Sequence, residues 1–260
     1  AHRALLQDAP DGEAVVLAHQ VEVAAGGSLS VHLLDMGGAL GRVSFDVILG
    51  EGAHFDLKAA LIGTGEQTIE LVTHVRHRQP GGISRQCVRA IAAGRATTSY
   101  LGQIQVAPHA QKTDSAQDFK AMLLDRGASA NAKPELEIFA DDVKCSHGAS
   151  VGQLDKGALF YMASRGLDPA RAQALLLRAF IAGLFDDMPD AADKARFEAA
   201  ALAKLEALQC ASRTTPRSPA QRPAPVLTSA TAPTSPVWSP PMARPGIIWI
   251  PPPPRKSRKW

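Results

Sequence analysis

The first 209 of the 260 residues contain no tryptophan, and Trp238, Trp249 and Trp260 all follow them. The stretch from Cys210 onward has no acidic residue, yet it holds eight of the 28 basic residues and 13 of the 19 prolines. All 25 acidic residues therefore lie in 1–209, beside 20 basic ones, giving that part a net charge of −5. The basic balance belongs to the C-terminal stretch and does not indicate nucleic-acid binding by the rest.

Cysteine is scarce, with three residues at positions 87, 145 and 210 and no Cys-x-x-Cys pair. This pattern excludes a disulfide framework and fits a reducing compartment. No apolar run approaches the roughly 18–20 residues that a membrane-spanning helix needs, and no signal peptide is visible. The sequence therefore predicts a cytoplasmic protein.

Phosphate-binding motifs are also missing. The glycine pairs at 50–52 and 63–65 are not followed by Gly-Lys-Ser/Thr, and no dinucleotide fingerprint opens a helix. These glycines are interpreted as turns, because glycine adopts positive φ without steric cost. We expect the chain to bind no nucleotide itself and to hydrolyse no ATP.

Short runs of alternating apolar and polar residues fill residues 13–152 and predict many β-strands separated by glycine turns. Examples are Leu29–Leu33, Val43–Leu49 and Ile69–Val75. The runs recur at a spacing that fits a sandwich, a barrel or a β-solenoid, and periodicity alone does not choose among these.

Helical spacing of apolar residues replaces this alternation after Asp155, so residues 153–209 are predicted as a C-terminal helical region. Asp168-Pro169 has the form of an N-cap followed by proline at the first helical position, and Gly166 ends the preceding helix. Residues 210–260 are rich in Pro, Ser, Thr and Arg and lack periodicity. They are interpreted as a disordered tail or as the product of translation out of frame after Gln209.

The pair Cys145 and His147 is the main candidate site. Residues two apart on a strand point to the same face, and a thiolate beside an imidazole suits iron, zinc or copper. Two ligands cannot close a tetrahedral site. Either a partner supplies the remaining ligands, or the pair binds nothing.

The segment around this pair reads Ile-Phe-Ala-Asp-Asp-Val-Lys-Cys-Ser-His-Gly-Ala over residues 138–149, followed by Val151–Asp155 and Ala158–Tyr161. It closely resembles the C-terminal signature of the SufB/SufD family of iron–sulfur cluster assembly proteins, on the SufD side. A second segment, Gly102–Asp114, resembles the same family through its Ala-Gln-Lys-Thr-Asp run. The resemblance covers roughly residues 13–185.

This resemblance implies a right-handed parallel β-helix for 13–152, followed by a small helical region. It also implies a preceding helical region, of which residues 1–12 would be a remnant. By the same resemblance the chain is a non-catalytic scaffold that pairs with SufB and binds the ATPase SufC. The histidine of the Cys-Ser-His-Gly segment, His147, would lie at the SufB interface, where it shares iron or a transient iron–sulfur cluster, with Cys145 beside it. The implied SufC contacts are Phe160, Tyr161, Arg165, Gly166 and Arg178.

One stretch departs from the family pattern. Gln117–Leu124 replaces a usual Asn-Arg-Asn before the leucines, and the sulfur-accepting cysteine that SufB carries in this region is absent. The alternatives are a SufB-type homodimer, or a β-solenoid carbohydrate-active enzyme such as a polysaccharide lyase. The first is disfavoured because SufB has Glu-His where this chain has Ser146-His147. The second would need clustered acids with a basic residue, which the sequence does not show.

Overall fold

A computed structural model describes the backbone of residues 1–214 and the side chains of residues 1–208. Within this part the chain forms eleven strands, and three helices follow the last strand. The strands are β1 His2–Gln7, β2 Ala14–Val23, β3 Ser28–Asp35, β4 Leu40–Leu49, β5 His54–Gly63, β6 Thr68–His77, β7 Ile83–Ala92, β8 Thr97–Val106, β9 Asp114–Leu123, β10 Ser129–Ile138 and β11 Lys144–Gln153. The helices are α1 Lys156–Ser164, α2 Pro169–Ala182 and α3 Ala191–Thr214.

The strands form two parallel sheets, because each strand pairs with the strand two positions along the chain. The odd-numbered strands give the order β1-β3-β5-β7-β9-β11, and the even-numbered strands give β10-β8-β6-β4-β2. The chain therefore winds alternately through the two sheets in about five turns, with His54 in register with Ile83 and Asp114 with Lys144. The predicted parallel β-helix, followed by a helical region, is confirmed.

Side chains alternate between the interior and the outer face of each sheet, as the two-residue period requires. In β6 every second residue from Ile69 to His77 is buried, while the residues between them are partly exposed. Early turns contribute apolar side chains such as Val31, Leu33 and Phe55 to the interior. Later turns place buried polar side chains there as well, and the candidate site adjoins this polar part.

Glycine turns stack from one turn of the β-helix to the next. Gly65 and Gly94 both have positive φ, at 60° and 70°. A Cβ on Gly94 would lie 3.1 Å from the carbonyl oxygen of Gly65, so a side chain there would meet the turn beneath it. The sequence-based interpretation as a turn is therefore confirmed at Gly65, whereas Gly63 is the last residue of β5.

Helices α2 and α3 pack on the outer face of the odd-numbered sheet, and α1 packs beside α2. Phe185 and Phe197 meet edge to face, with ring centroids 5.5 Å apart, in a second apolar core that includes Leu34 and Ile62 of the sheet. Asp168 accepts a hydrogen bond from the backbone of Ala170, which confirms the predicted N-cap. No helix in residues 1–214 is long and apolar enough to cross a bilayer.

A polar contact also joins the α2–α3 loop to the sheet. The carboxylate of Asp187 lies 3.1 Å from Nε2 of His32 and accepts a hydrogen bond of 2.6 Å from Nζ of Lys58. His32 is buried, and its Nδ1 is 2.9 Å from Nε2 of His2. Burial lowers the pKa of His32, although the neighbouring Asp187 opposes this effect. The helices are thus positioned by charge as well as by apolar packing.

The structure differs from the expected boundaries at both ends. Residues 1–12 are not a helical remnant, because His2–Gln7 form strand β1 in register with β3. The Gln7 side chain hydrogen-bonds both the N–H and the carbonyl of Gly37, which ties this strand to the next turn. Residues 210–214 continue α3. The remainder of the predicted disordered or out-of-frame tail lies outside the described residues.

Candidate functional site

Strand β11 carries Cys145 and His147 at one end of the β-helix. It pairs with β9 and is the last strand of its sheet, just as β10 is the last strand of the other sheet in the described part of the chain. An edge strand presents a row of N–H and C=O groups that can pair with another chain. The site therefore lies where a further strand could be added.

Both site residues stand at inward-facing positions of β11. Cys145 is in register with Ser115 and His147 with Gln117, and these two β9 residues are buried. Cys145 is half-buried and packs against the interior apolar core, whereas His147 is exposed. The structure thus places the two candidate ligands on one face, with the imidazole accessible from outside.

Behind them, inward side chains form two polar columns that cross the odd-numbered sheet. The first column runs Ser84–Ser115–Cys145 and the second runs Gln86–Gln117–His147, each in direct register on β7, β9 and β11. Sequence analysis did not identify this arrangement. The available signal was a serine and a glutamine two apart in both β7 and β9, at the same register positions.

Hydrogen bonds connect the deeper part of these columns to the opposite sheet. The Tyr100 hydroxyl donates to Oε1 of Gln86 at 3.1 Å and also lies 3.3 Å from the Thr73 hydroxyl. Nε2 of His77 lies 2.9 Å from the hydroxyl of Ser84. The middle of the columns is different, because the Gln117 carboxamide and the Ser115 hydroxyl have no hydrogen-bond partner within residues 1–208.

The divergent segment Gln117–Leu124 lies mostly in β9. Asp118 and Phe119 of this segment both have contacts within the β-helix. Asp118 forms an ion pair of 2.6 Å with Arg89 on the outer face of the sheet. Phe119 is fully buried and stacks on Tyr100 with ring centroids 5.7 Å apart. The departure from the family pattern therefore coincides with packing inside the β-helix.

Cys145 and His147 are not part of a larger cluster of metal-binding side chains in the described residues. Among the side chains of residues 1–208, no group of three or more His, Cys, Asp or Glu could bind a metal ion. Cys145 and His147 supply two donors, while an iron–sulfur cluster usually takes about four protein ligands. Any iron or cluster bound by these two side chains would need further ligands from elsewhere.

Cys87, the other cysteine whose side chain the structure describes, lies away from this site. Its side chain is half-buried and packs against the apolar core beneath the helices. Burial raises the pKa of the Cys87 thiol, which keeps it neutral. A core role is consistent with these observations.

The residues expected to contact an ATPase lie on the helical region. Phe160 and Tyr161 on α1 are 77% and 60% exposed, which is unusual for large aromatic side chains. The Arg165 guanidinium lies 5.3 Å from the centre of the Tyr161 ring, and Gly166 ends this helix with a φ of 85°. Arg178 lies on α2.

A shallow groove of about 210 Å³ between α2 and α3 contains Arg178 and the exposed Leu175. Arg171 of α2 and Leu202 of α3 also line it. The helical region thus offers two accessible features, an aromatic pair on α1 and a partly apolar groove bordered by arginines. Both suit contact with another protein.

Comparison with known proteins places these features in a family. Residues 3–180 match the family described as SUF system FeS cluster assembly, SufBD core domain. The iron-sulfur cluster assembly protein SufD of Escherichia coli (strain K12) is 34% identical over 160 residues, which is 61% of this chain and 38% of that protein. The chloroplastic protein ABCI7 of Arabidopsis thaliana is 36% identical over 158 residues, which is 59% of this chain and 33% of that protein.

A more distant relative is the iron-sulfur cluster assembly protein SufD of Bacillus subtilis (strain 168), 29% identical over 142 residues, or 55% of this chain and 32% of that protein. The chain thus spans about a third of the length of each of these three relatives. The family match extends from β1 into α2 and includes both Cys145 and His147. Because it covers more than half of the sequence, this chain belongs to the SufBD core family of the SUF system.

Proposed function

We propose that the chain acts as a non-catalytic scaffold subunit in iron–sulfur cluster assembly, pairing with SufB through the β10–β11 end of the β-helix and binding the ATPase SufC through its helices. The observation that carries the proposal is the position of Cys145 and His147. They share one face of an edge strand and cannot complete a metal site within residues 1–208. An incomplete ligand set beside free backbone groups suits a site finished by a second subunit.

The division of labour follows from the geometry. His147 is exposed and accessible to a partner or to cargo, while Cys145 is partly covered by the interior core. His147 therefore contributes directly at the junction, either as a ligand to shared iron or by a hydrogen bond, and Cys145 supports it from the same face. The ATPase movement would act through α1 and α2, because α2 packs on the same sheet that ends in β11 and α1 contacts α2.

Coexpression with SufB and SufC tests the role of the site. We expect His147→Ala to leave the three-protein complex assembled, because an exposed side chain contributes little to folding, and to reduce its iron and sulfide content. His54→Ala is the matched control, since His54 is also an exposed histidine on the odd-numbered sheet but lies on β5. Equal cluster content in both variants would remove His147 from the proposed function.

Pull-down with SufC tests the role of the helices. The double variant Phe160→Ala/Tyr161→Ala should lose SufC while retaining SufB, because exposed aromatic side chains often dominate binding energy at interfaces. Val16→Ala on β2 is a suitable control, because Val16 is an exposed apolar side chain that is distant in sequence from α1. Retention of SufC by the double variant would argue against this assignment. A stable homodimer in the absence of SufB would instead favour a SufB-type arrangement.

A further inference from the structure

The Gln117 side chain is buried at a cost that packing does not explain. It is 2% exposed, and neither its Oε1 nor its Nε2 has a hydrogen-bond partner within the described side chains. Leaving a buried polar group unpaired costs about 1–3 kcal/mol. An apolar side chain of similar shape would avoid that cost. We therefore expect the carboxamide to have a hydrogen-bonding neighbour.

That neighbour is available in the same column. Gln117 lies between Gln86 on β7 and His147 on β11, in direct register with both. Adjacent strands are about 4.8 Å apart, a spacing at which stacked glutamine side chains form amide ladders. Small side-chain rotations, or one intervening water, would connect the three residues.

The hydrogen bond between Tyr100 and Gln86 determines which atoms donate and which accept along this ladder. The Tyr100 hydroxyl donates to Oε1 of Gln86, which leaves Nε2 of Gln86 as an unpaired buried donor. If Gln86 Nε2 donates to Oε1 of Gln117, then Gln117 Nε2 faces His147 as a donor. This orientation satisfies every unpaired atom of the two glutamines. The reverse orientation of Gln117 leaves Nε2 of Gln86 unpaired.

We infer that Gln117 is the positioning residue of His147: its Nε2–H donates to one ring nitrogen and so selects a single tautomer of the neutral imidazole. The other ring nitrogen then carries the proton and faces the junction. His147 accordingly presents an N–H donor there, suited to an anionic sulfur such as a thiolate or sulfide. A ring nitrogen that carries a proton must lose it before it can bind iron.

The positioning role of Gln117 can be tested in the isolated chain, because the tautomer of His147 can be measured there. Only its effect on cluster assembly rests on the proposed function. Two-bond ¹H–¹⁵N correlation spectra of the full chain with labelled histidine, recorded above pH 8, distinguish protonated from unprotonated ring nitrogens. In the native chain we expect one tautomer to dominate, with contacts between the Gln117 side-chain amide protons and the His147 ring.

Two substitutions change the ladder in different ways. Gln117→Met keeps the shape but removes the donor, and should shift the tautomer ratio by about fivefold, the equivalent of one net hydrogen bond. Gln117→Glu supplies a carboxylate that accepts from the ring, and should move the ratio to the opposite tautomer. Ser115→Ala is the matched control, being a buried, unpaired polar residue on the same strand that neighbours Cys145 instead.

Different results would contradict the positioning role of Gln117 and the donor direction of the ladder. An unchanged tautomer ratio in Gln117→Met, or a shift equal to that of Ser115→Ala, would overturn the positioning role. A native tautomer with the proton on the nitrogen that faces Gln117 would overturn the proposed direction of the ladder. If Gln117→Glu fails to fold, Gln86→Met tests the same ladder one strand deeper and should shift the ratio in the same direction as Gln117→Met.

Cluster content in the coexpressed complex then tests the consequence separately. Gln117→Met should lower iron and sulfide content relative to Ser115→Ala. A tautomer shift with normal cluster content would retain the positioning role and reject the part assigned to His147 in assembly.

Discussion

We predict that the buried carboxyl group of Asp35 makes the stability of this protein depend on pH. Asp35 ends β3 at an inward position, in register with Gln7 and Leu61. It is fully buried, and neither carboxyl oxygen has a hydrogen-bond partner within residues 1–208. Gly41 lies so close that a Cβ there would be 2.8 Å from Oδ1. Burial raises the pKa of Asp35 to about 7, because the charged form is poorly solvated in this position.

The direction of the pH effect follows from this shift. The unfolded chain has an aspartate pKa of about 3.9, so between roughly pH 4 and pH 7 the unfolded state releases a proton that the folded state keeps. The contribution of Asp35 is fully present below the unfolded pKa and is lost as pH rises through the folded pKa. Three pH units at about 1.4 kcal/mol each give a loss on the order of 4 kcal/mol.

Replacing Asp35 by asparagine removes the titration and keeps the shape. Relative to the native chain, Asp35→Asn should gain on the order of 4 kcal/mol in free energy of unfolding between pH 4 and pH 7, with no further change above that range. Urea denaturation followed by circular dichroism at half-unit pH steps measures the difference. Asp8→Asn, at an exposed aspartate in the β1–β2 turn region, is the control.

The difference between the two curves is what matters, since other groups also titrate in this window. Parallel curves for the native chain and Asp35→Asn would refute the argument, because they would show that Asp35 has a similar pKa in the folded and unfolded states. A relative loss for Asp35→Asn as pH rises below pH 4 would refute it equally, because it would mean that folding lowers the pKa of Asp35.

Further predictions concern the interior and the helices. Burial lowers the pKa of His77 to about 4, so stability present above the unfolded pKa of about 6.5 should fall by roughly 3 kcal/mol as pH drops to 4, and His77→Gln should abolish this loss in acid denaturation. Gly102→Ala would place a Cβ 2.4 Å from the Tyr100 hydroxyl and should cost about 1–3 kcal/mol or more in urea, whereas a neutral result would mean that Tyr100 moves freely. Phe185→Ala should cost about 3–5 kcal/mol and speed amide exchange in α2 and α3 more than in β8; uniform acceleration would contradict separate packing of the helices.

The sequence by itself predicted the strands whose inward positions are apolar. Apolar and polar residues alternate clearly in Val43–Leu49 and Ile69–Val75. Both segments are strands in which the apolar residues of this pattern are the buried ones. The helix boundary at Asp168-Pro169 was equally readable, because an N-cap depends on local hydrogen bonding. Strands β7, β9 and β10 were harder to predict, since serine, glutamine or proline replaces apolar residues at one or two inward positions of each.

Tertiary structure decided which of these residues meet. Gln86, Gln117 and His147 are about 30 residues apart in sequence, and only the register of three parallel strands places them in one column. Likewise, the contact between His32 and Asp187 joins residues 155 positions apart. Local patterns reveal which face a side chain occupies, because the strand period is two. The length of each turn of the β-helix sets the register between strands, and that register determined both the polar columns and the polar contact beneath the helices.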